Sequence, residues 1–161
     1  MEPTFAYTIS DKATRYEQFL KDFLPYIAGE SEGISVLANT TAALRQAFGW
    51  FWIGFYLVRN EQLILGPFQG DMACYRISKG RGVCGTAWAE ASTQVVPDVE
   101  LFPGHIACSG NSRSEIVVPL LVDGIVCGVL DIDSDTLATF DDIDKHYLEI
   151  LCRHICDAVY A

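Results

Sequence analysis

The chain has 161 residues, half of them apolar, which is enough for one domain with a single substantial core. Its 11 Lys and Arg against 21 Asp and Glu give a net charge of -10, so no basic surface is expected that could neutralise phosphates. Nucleic acid and membrane surfaces are therefore excluded as expected partners, and a cationic or zwitterionic ligand suits the charge better. No apolar run reaches the roughly 18 to 20 residues that a membrane-spanning helix needs.

The expected compartment decides how the six cysteines are interpreted. The first residues, Met1 to Thr4, lack the basic start and the apolar stretch of a secretion signal, which predicts a cytoplasmic protein. Cysteines in that compartment are kept reduced, and a core of this size needs no structural disulfides. We therefore expect free thiols, some of them reactive.

Two helices are predicted at the start of the chain. Apolar residues recur on one helical face through residues 11–24, and Ser10 or Asp11 can cap that helix. A second apolar stripe runs through residues 34–48, and Gly49 ends it.

A β-hairpin is predicted next. Residues 50–58 are aromatic and β-branched, and after a turn at 59–61 a second apolar run follows at 62–65. Residues 66–114 contain much of the Gly, Pro, His and Cys content, and we expect connections there with short helical or strand pieces. Functional residues often lie in such connections.

A second hairpin and a last helix complete the chain. Residues 115–122 and 125–131 are apolar and are joined by Asp123-Gly124, a strong hairpin signal, while Pro119 implies a sheet edge or a bulge. Residues 141–160 show a helical stripe with acidic residues in the first turn. This order predicts an α+β fold for residues 1–161 as a single domain, with an antiparallel β-sheet flanked by N- and C-terminal helices.

Three cysteines of the middle region have neighbours that favour a reactive thiolate, which needs a nearby cation, a helix N-terminus or hydrogen-bond donors. Cys84 follows Arg81 in a glycine-rich segment at a predicted helix start. Cys108 comes three residues after His105, and Cys74 is followed closely by a basic residue. The alternative is that each is a small buried hydrophobic residue.

The other cysteines fit that alternative better. Cys127 lies in an apolar strand and Cys152 on the apolar stripe of the last helix, so both are expected in the core. A zinc site could join Cys152 to Cys156, His146 and His154, but no Cys-x2-Cys pair occurs, and such helical spacings arise by chance. We expect no metal and no cofactor.

A set of carboxylates lies on the second hairpin. Glu115 begins one strand, and Asp131 and Asp133 alternate onto one face of its partner. Carboxylates in one cleft repel one another, so at least one of them is expected to hold a proton near neutral pH and to act as an acid. Trp52, Phe55 and Tyr56 could line a pocket with them. The alternative is a solvated acidic strand end and an aromatic strand that belongs to the core.

Several motifs in one order resemble those of the free methionine-(R)-sulfoxide reductase family, whose members have the GAF fold. The resemblance covers about residues 52–142, with helices of suitable length on both sides. The motifs are Trp52-Ile53-Gly54-Phe55-Tyr56, Gly66-Pro67-Phe68-Gln69-Gly70, Gly80-Arg81-Gly82-Val83-Cys84-Gly85, Phe102-Pro103-Gly104-His105-Ile106-Ala107-Cys108, Ser114-Glu115-Ile116-Val117-Val118-Pro119 and Gly128-Val129-Leu130-Asp131-Ile132-Asp133-Ser134.

The resemblance implies thiol redox chemistry on free L-methionine-(R)-sulfoxide. It places the three family cysteines at Cys74, Cys84 and Cys108, with Cys108 attacking the sulfoxide sulfur. A sulfenic acid forms and is resolved to a disulfide by Cys84 or Cys74, and thioredoxin then reduces that disulfide. Relatives of this kind also suggest a homodimer.

The resemblance assigns the remaining site residues as well. Glu115 with Asp133 would bind the substrate and donate a proton to the sulfoxide oxygen. Asp131 and Asp98 would meet the substrate ammonium, and Trp52 and Tyr56 would close around its side chain. One departure is Ser109, where many relatives carry Asp directly after the attacking cysteine.

The main alternative is a small-molecule-binding GAF sensor module without catalysis, because a fold alone does not define a function. A cyclic-nucleotide sensor of this fold needs an Asn-Lys pair upstream of its Phe-x3-Asp-Glu motif, and a bilin sensor normally shows a Cys-His dipeptide. The sequence contains neither the Asn-Lys pair nor the Cys-His dipeptide. We therefore expect an enzyme.

Overall fold

The structure is a computed structural model that describes residues 2–106 and 110–160. Its helices are α1 Lys12–Ile27, α2 Gly33–Phe48, α3 Gly82–Glu90 and α4 Asp142–Val159. Its strands are β1 Trp52–Arg59, β2 Gln62–Gln69, β3 Arg76–Ser78, β4 Gln94–Val96, β5 Ser114–Val122 and β6 Ile125–Ser134. A short 3-10 turn spans Val99–Leu101.

The strands form one six-stranded antiparallel sheet in the order β3-β2-β1-β6-β5-β4. The two predicted hairpins, β1-β2 and β5-β6, meet where β1 pairs with β6. The predicted α+β fold with an antiparallel sheet is therefore confirmed. Among the described residues, no helix combines the length and the apolar composition needed to cross a membrane.

The helix ends follow the signals in the sequence. Asp11 caps α1 by accepting a hydrogen bond from the backbone N–H of Thr14, and Gly49 ends α2 in the left-handed region with φ 72°. Asp141 and Asp144 form a reciprocal capping box at the start of α4. These contacts confirm the three long predicted helices.

The sheet separates two apolar cores because strand side chains alternate between its faces. On one face, Ile53 and Phe55 of β1 pack in the core that α1, α2 and α4 cover. On the other face, Trp52 and Tyr56 of the same strand pack with the residues of α3. The first core is larger, and the second borders the polar side chains described below.

Pro119 illustrates how a proline is accommodated inside this sheet. Strand β5 lies between β4 and β6, so it is not an edge strand. The register of β5 against β6 shifts between Leu120 and Leu121, directly after the proline, which confirms the predicted bulge. The short β4 pairs only with Glu115 to Val117, so one side of β5 is open at Pro119.

Two strands extend beyond their predicted ends. Strand β2 continues to Gln69, and β6 continues to Ser134. The extension of β6 places both Asp131 and Asp133 inside the sheet rather than at a frayed strand end. It also fixes which way each side chain points, because the pairing of β6 with β1 and β5 continues to Asp133.

Candidate functional site

A cavity of about 50 Å³ lies between α3 and the sheet face that carries the second core. Residues from β1, β3, β5, β6, α3 and the loops around them surround it. Its lining consists of Trp52, Tyr56, Met72, Ala73, Ile77, Arg81, Gly82, Val83, Cys84, His105, Ile106, Ser112, Glu115, Asp131 and Asp133.

The alternation of strand side chains brings three carboxylates into this cavity. Val117 and Val129 point into the second core, so Glu115 on β5 and Asp131 on β6 lie on the same face as these valines. Glu115 is the direct register partner of Asp133, and Asp131 lies opposite Val117. The prediction that Glu115, Asp131 and Asp133 share one cleft is supported by this placement.

Burial and mutual repulsion raise the pKa of these carboxyl groups. Desolvation raises the pKa of Glu115 well above its usual range, and the charges of Asp131 and Asp133 raise it further. Desolvation, with the charge of Asp131, also raises the pKa of Asp133, although the hydroxyl of Ser112 donates a hydrogen bond of 3.3 Å to it. The cluster therefore retains protons at a pH where isolated carboxyl groups are ionised.

Asp131 differs from its two neighbours. Burial raises its pKa, while contacts with Glu115 and Cys84 and the charge of His105 act in the opposite direction. Asp131 is thus the member of the set that is best placed to carry the negative charge. Its Oδ1 atom is buried and has no hydrogen-bond partner among the residues that the structure describes.

Cys84 lies in the first turn of α3, which begins at Gly82 as the sequence predicts. Its side chain is buried against the carboxylates, and this burial raises the pKa of the thiol well above its usual value, with further increases from Asp131 and Glu115. These effects outweigh the helix N-terminus and Arg81, which the sequence suggested as activating groups. In this arrangement Cys84 is a protonated thiol and not an activated nucleophile.

Cys74 lies between β2 and β3 and is disulfide-bonded. Its backbone carbonyl accepts a hydrogen bond of 2.9 Å from the hydroxyl of Tyr56, which connects its loop to the cavity wall. Cys108, the predicted attacking cysteine, lies outside the described residues, as does Ser109. Of the three predicted redox cysteines, the structure thus places Cys84 in the cavity and Cys74 at its edge.

The remaining cysteines are free thiols away from the cavity. Cys152 and Cys156 are buried in the core under α4, which confirms the expectation for Cys152. Cys127 is only partly buried, so its expected place in the core is wrong. His146 and His154 are exposed on α4, so they do not join the two buried thiols of that helix.

Aromatic rings form one wall of the cavity. Trp52 stacks with Tyr56 at 6.2 Å and with Phe68 at 5.4 Å between ring centroids. The indole N–H of Trp52 donates a hydrogen bond of 2.9 Å to the backbone carbonyl of Asp71. The predicted pocket role of Trp52 and Tyr56 is therefore consistent with their positions in the structure.

Gly54 makes this stacking possible, and the sequence analysis did not identify its role. A Cβ atom at this position would lie 2.4 Å from the Trp52 ring and 2.6 Å from Cβ of Phe68. Any larger residue would displace one of the two rings. A glycine inside an aromatic strand was the available signal, since it often marks a close approach.

Two further cavity residues were not assigned a site role from the sequence. Nε2 of His105 lies 3.9 Å from Oε1 of Glu115, and desolvation lowers the pKa of the imidazole, although the charge of Asp131 acts in the opposite direction. Ser112 reaches Asp133 through the hydrogen bond noted above. By contrast, Asp98 is not brought to the cavity, because its carboxylate accepts a hydrogen bond from the backbone N–H of Glu100 and caps the 3-10 turn.

Comparison with known proteins gives matches along most of the chain. The family model of the GAF domain matches residues 32–159. GAF domain-containing protein A of Dictyostelium discoideum is 57% identical over 138 residues, which cover 85% of this chain and 87% of that protein. The free methionine-R-sulfoxide reductase of Escherichia coli (strain K12) is 47% identical over 146 residues, which cover 90% of this chain and 88% of that protein.

The solved structures include a close match as well. The X-ray structure of free methionine-R-sulfoxide reductase from Neisseria meningitidis, in complex with its substrate, has 50% sequence identity and a TM-score of 0.96. The match covers 99% of this chain and 96% of that one.

The sheet order, the helices on both faces and the match to the family model define a protein of the GAF class. Within that class, the relatives from Escherichia coli and Saccharomyces cerevisiae and the solved structure from Neisseria meningitidis, at 43 to 50% identity, are named free methionine-R-sulfoxide reductases. The chain belongs to the free methionine-R-sulfoxide reductase family, which confirms the resemblance of its motifs.

Proposed function

We propose that this chain is an oxidoreductase that reduces free L-methionine-(R)-sulfoxide to methionine through cysteine thiol chemistry. The observation that carries the proposal is the pair Glu115 and Asp133, two acids of raised pKa that face one small cavity beside a disulfide-bonded cysteine. The relatives from Escherichia coli and Neisseria meningitidis are named for this activity, which supports it further.

The first step transfers oxygen from the substrate to the protein. The sulfur of Cys108 attacks the sulfoxide sulfur, and the sulfoxide oxygen is protonated as its bond to the substrate weakens. The oxygen passes to the cysteine sulfur, so one sulfenic acid forms and one methionine leaves. The cysteine sulfur supplies the two electrons that reduce the sulfoxide.

The proton comes from the carboxyl pair in this scheme. Glu115 is buried and has a pKa raised by desolvation and by the two neighbouring carboxylates, so it holds a proton at neutral pH. Asp133 lies directly opposite Glu115 in the sheet, and desolvation and the charge of Asp131 raise its pKa. A protonated carboxyl aimed at the place where charge develops on oxygen stabilises the transition state.

The second step closes a disulfide. A second thiol attacks the sulfenic acid sulfur, releases the oxygen as water and leaves both cysteines joined. We assign this resolving role to Cys74, because Cys74 is disulfide-bonded in the structure whereas Cys84 is a buried free thiol of raised pKa. A dithiol protein of the thioredoxin type then reduces the disulfide and completes the cycle.

The cavity also accounts for the choice of a free amino acid. Asp131 is the carboxyl group of the three that most readily carries a negative charge, and it meets the substrate ammonium. Trp52 and Tyr56 pack against the aliphatic side chain of the substrate. A small site that pairs this charge selects a free amino acid, because a methionine inside a peptide chain has no α-ammonium group to offer. Asp98 has no part in this scheme, since it caps a turn outside the cavity.

The proposal is tested by assaying the purified protein against both sulfoxide epimers, each free and peptide-bound, with thioredoxin or dithiothreitol as reductant. We expect methionine to form from the free R-epimer alone. Binding of the free R-epimer without any methionine release would favour the alternative, a GAF sensor module. Equal rates on the peptide-bound substrate would contradict the assignment of Asp131 to the ammonium group.

A further inference from the structure

Three potential metal ligands converge at one end of the cavity. The sulfur of Cys84, one carboxylate oxygen of Glu115 and one of Asp131 all lie within 4.8 Å of one another. They come from three different elements, α3, β5 and β6, so the fold holds them together rather than a local sequence motif. Within residues 2–106 and 110–160, no other trio of His, Cys, Asp and Glu donors is gathered as closely.

A second observation shows that this trio has capacity for a ligand. Among residues 2–106 and 110–160, the buried Oδ1 atom of Asp131 has no hydrogen-bond partner, although Asp131 as a whole is only 6% exposed. A buried carboxylate oxygen without a donor is costly, so a native site normally supplies one. Asp131 lines the cavity together with Cys84 and Glu115, so a cation entering the cavity would meet all three side chains.

We propose that Cys84, Glu115 and Asp131 bind a divalent cation of the zinc class, which excludes the substrate from the same cavity. A thiolate among the ligands selects borderline or soft ions such as Zn²⁺ and Cd²⁺ over Mg²⁺ and Ca²⁺, which prefer all-oxygen sites. As the sulfur–metal bond forms, the thiol of Cys84 releases its proton to solvent. The protein's charge of -10 favours the entry of a cation.

The arrangement fits a four-coordinate ion with one open position. Zinc–sulfur bonds of about 2.3 Å and zinc–oxygen bonds of about 2.1 Å require small inward movements of the three side chains. His105 offers a fourth donor, because its Nε2 atom lies 3.9 Å from Oε1 of Glu115. Otherwise a water molecule completes the tetrahedron.

The consequence for activity rests on the proposed function. Glu115 and Asp131 are assigned there to the sulfoxide oxygen and the substrate ammonium, so an ion held by the same oxygens competes with the substrate. Zinc-class ions would then inhibit the enzyme reversibly, whichever state the redox disulfide is in, because Cys84 is not part of that disulfide.

Cadmium is the probe for binding, because a sulfur–cadmium bond has an ultraviolet charge-transfer absorption. The full chain is titrated with Cd²⁺ in the form with Cys74 oxidised and without thiol reductant. We expect one ion per chain, and Cys84→Ser should remove the absorption band and weaken binding by at least about tenfold. Cys127→Ser, which changes a partly buried thiol outside the cavity, is the matched control and should retain the band.

The carboxylate ligands are tested separately. Asp131→Asn and Glu115→Gln keep the side-chain shape and should each weaken Cd²⁺ binding by about tenfold or more while leaving circular dichroism unchanged. X-ray absorption of the zinc-loaded wild-type protein should show one sulfur among oxygen or nitrogen ligands, a result that needs no variant to fold. A shell of oxygen and nitrogen only, or a band that persists in Cys84→Ser, would overturn the proposal.

Competition with the substrate distinguishes this inference from the proposed function. Calorimetry first measures whether free methionine-(R)-sulfoxide binds, and a saturating concentration should then weaken Cd²⁺ binding by at least about tenfold. If the sulfoxide binds and Cd²⁺ affinity is unchanged, the shared site is wrong. If Cd²⁺ binds through Cys84 and no turnover is found, the metal site stands and only the proposed reductase function fails.

Discussion

Glu115 and Asp133 face each other directly across β5 and β6, as register partners on the sheet face that borders the cavity. Two carboxyl groups in this relation cannot both ionise at low cost when they are buried. The antiparallel pairing of the second hairpin therefore creates a proton-holding site from two ordinary acidic residues.

Glu115→Gln should stabilise the protein at alkaline pH. The pKa of Glu115 is raised above its usual value near 4.5, so the folded chain binds this proton more tightly than the unfolded chain. The free energy of unfolding is then highest below about pH 4.5, the usual pKa of the group. It falls as the pH rises toward the pKa that Glu115 has in the folded chain. Replacing the carboxyl should recover at least about 1 kcal/mol of unfolding free energy at pH 8 and nothing at pH 4.

Urea unfolding of the wild type and the variant between pH 4 and pH 8 measures this difference. Glu100→Gln, at an exposed acidic residue, is the matched control and should leave the pH dependence unchanged. A stability difference between wild type and Glu115→Gln that is the same at both ends of the range would show that Glu115 is not desolvated in the folded chain.

Asp133→Asn should reduce turnover with little effect on folding. An amide cannot supply the proton that the departing oxygen needs, and loss of a general acid typically costs about 100-fold or more in kcat. Steady-state rates on free methionine-(R)-sulfoxide measure the effect, and Asp135→Asn, two residues further along and exposed, should retain wild-type kcat. Equal rates for the two variants would remove Asp133 from the proton-transfer scheme.

Much of the fold could be predicted because its long elements have clear periodicity. The stripe of α2 and the turn at Asp123-Gly124 are local features, and both are observed. The short strands β3 and β4 could not be located, because three residues carry too little pattern and pair only through partners distant in sequence.

The site was predictable only in part for a related reason. Glu115, Asp131 and Asp133 follow from strand alternation once the hairpin is identified. Whether a loop residue such as Asp98 reaches the same cavity depends on tertiary packing, and here its carboxylate is used to cap a turn. The protonated state of Cys84 likewise follows from burial, which sequence neighbours do not reveal.

Gly54→Ala should damage the aromatic wall. The added Cβ would lie 2.4 Å from the Trp52 ring, so the ring must move or the strand must bend, at a cost of about 1 to 3 kcal/mol. Thermal unfolding measures the loss of stability, and tryptophan fluorescence reports the movement of the Trp52 ring. The KM for the sulfoxide should rise as well. Gly110→Ala is the control, because no atom of the described residues outside its chain neighbours lies within 4 Å of a Cβ atom there. Unchanged fluorescence and stability in Gly54→Ala would contradict the stacked placement of Trp52.

Asp144 joins the two ends of the chain, and Asp144→Ala should be strongly destabilising. The buried carboxylate accepts hydrogen bonds of 2.6 Å from the Tyr16 hydroxyl and 2.7 Å from the Lys12 ammonium, both on α1. Its removal takes the acceptor from the buried Tyr16 hydroxyl and leaves Lys12 with Asp141 at 3.2 Å, at a cost of about 2 to 3 kcal/mol in unfolding free energy. Tyr16→Phe removes one bond alone and should cost about 1 kcal/mol. Denaturant titration measures both variants, and a loss below about 1 kcal/mol for Asp144→Ala would mean that the hydrogen bonds of Asp144 contribute little to holding α1 against α4.

Cys74→Ser should separate the two steps of the proposed reaction. Without a resolving thiol, each chain can still transfer one oxygen to Cys108 but cannot close the disulfide, so one methionine forms per chain and thioredoxin-dependent turnover stops. Cys84→Ser should continue to turn over, with a changed KM, because Cys84 is a protonated thiol of the cavity wall. Single-turnover assays that count methionine per chain, together with mass spectrometry of the sulfenic acid after trapping, distinguish the variants. If Cys74→Ser turns over with thioredoxin while Cys84→Ser stops after one methionine, the resolving role belongs to Cys84, and α3 must then open to expose that thiol.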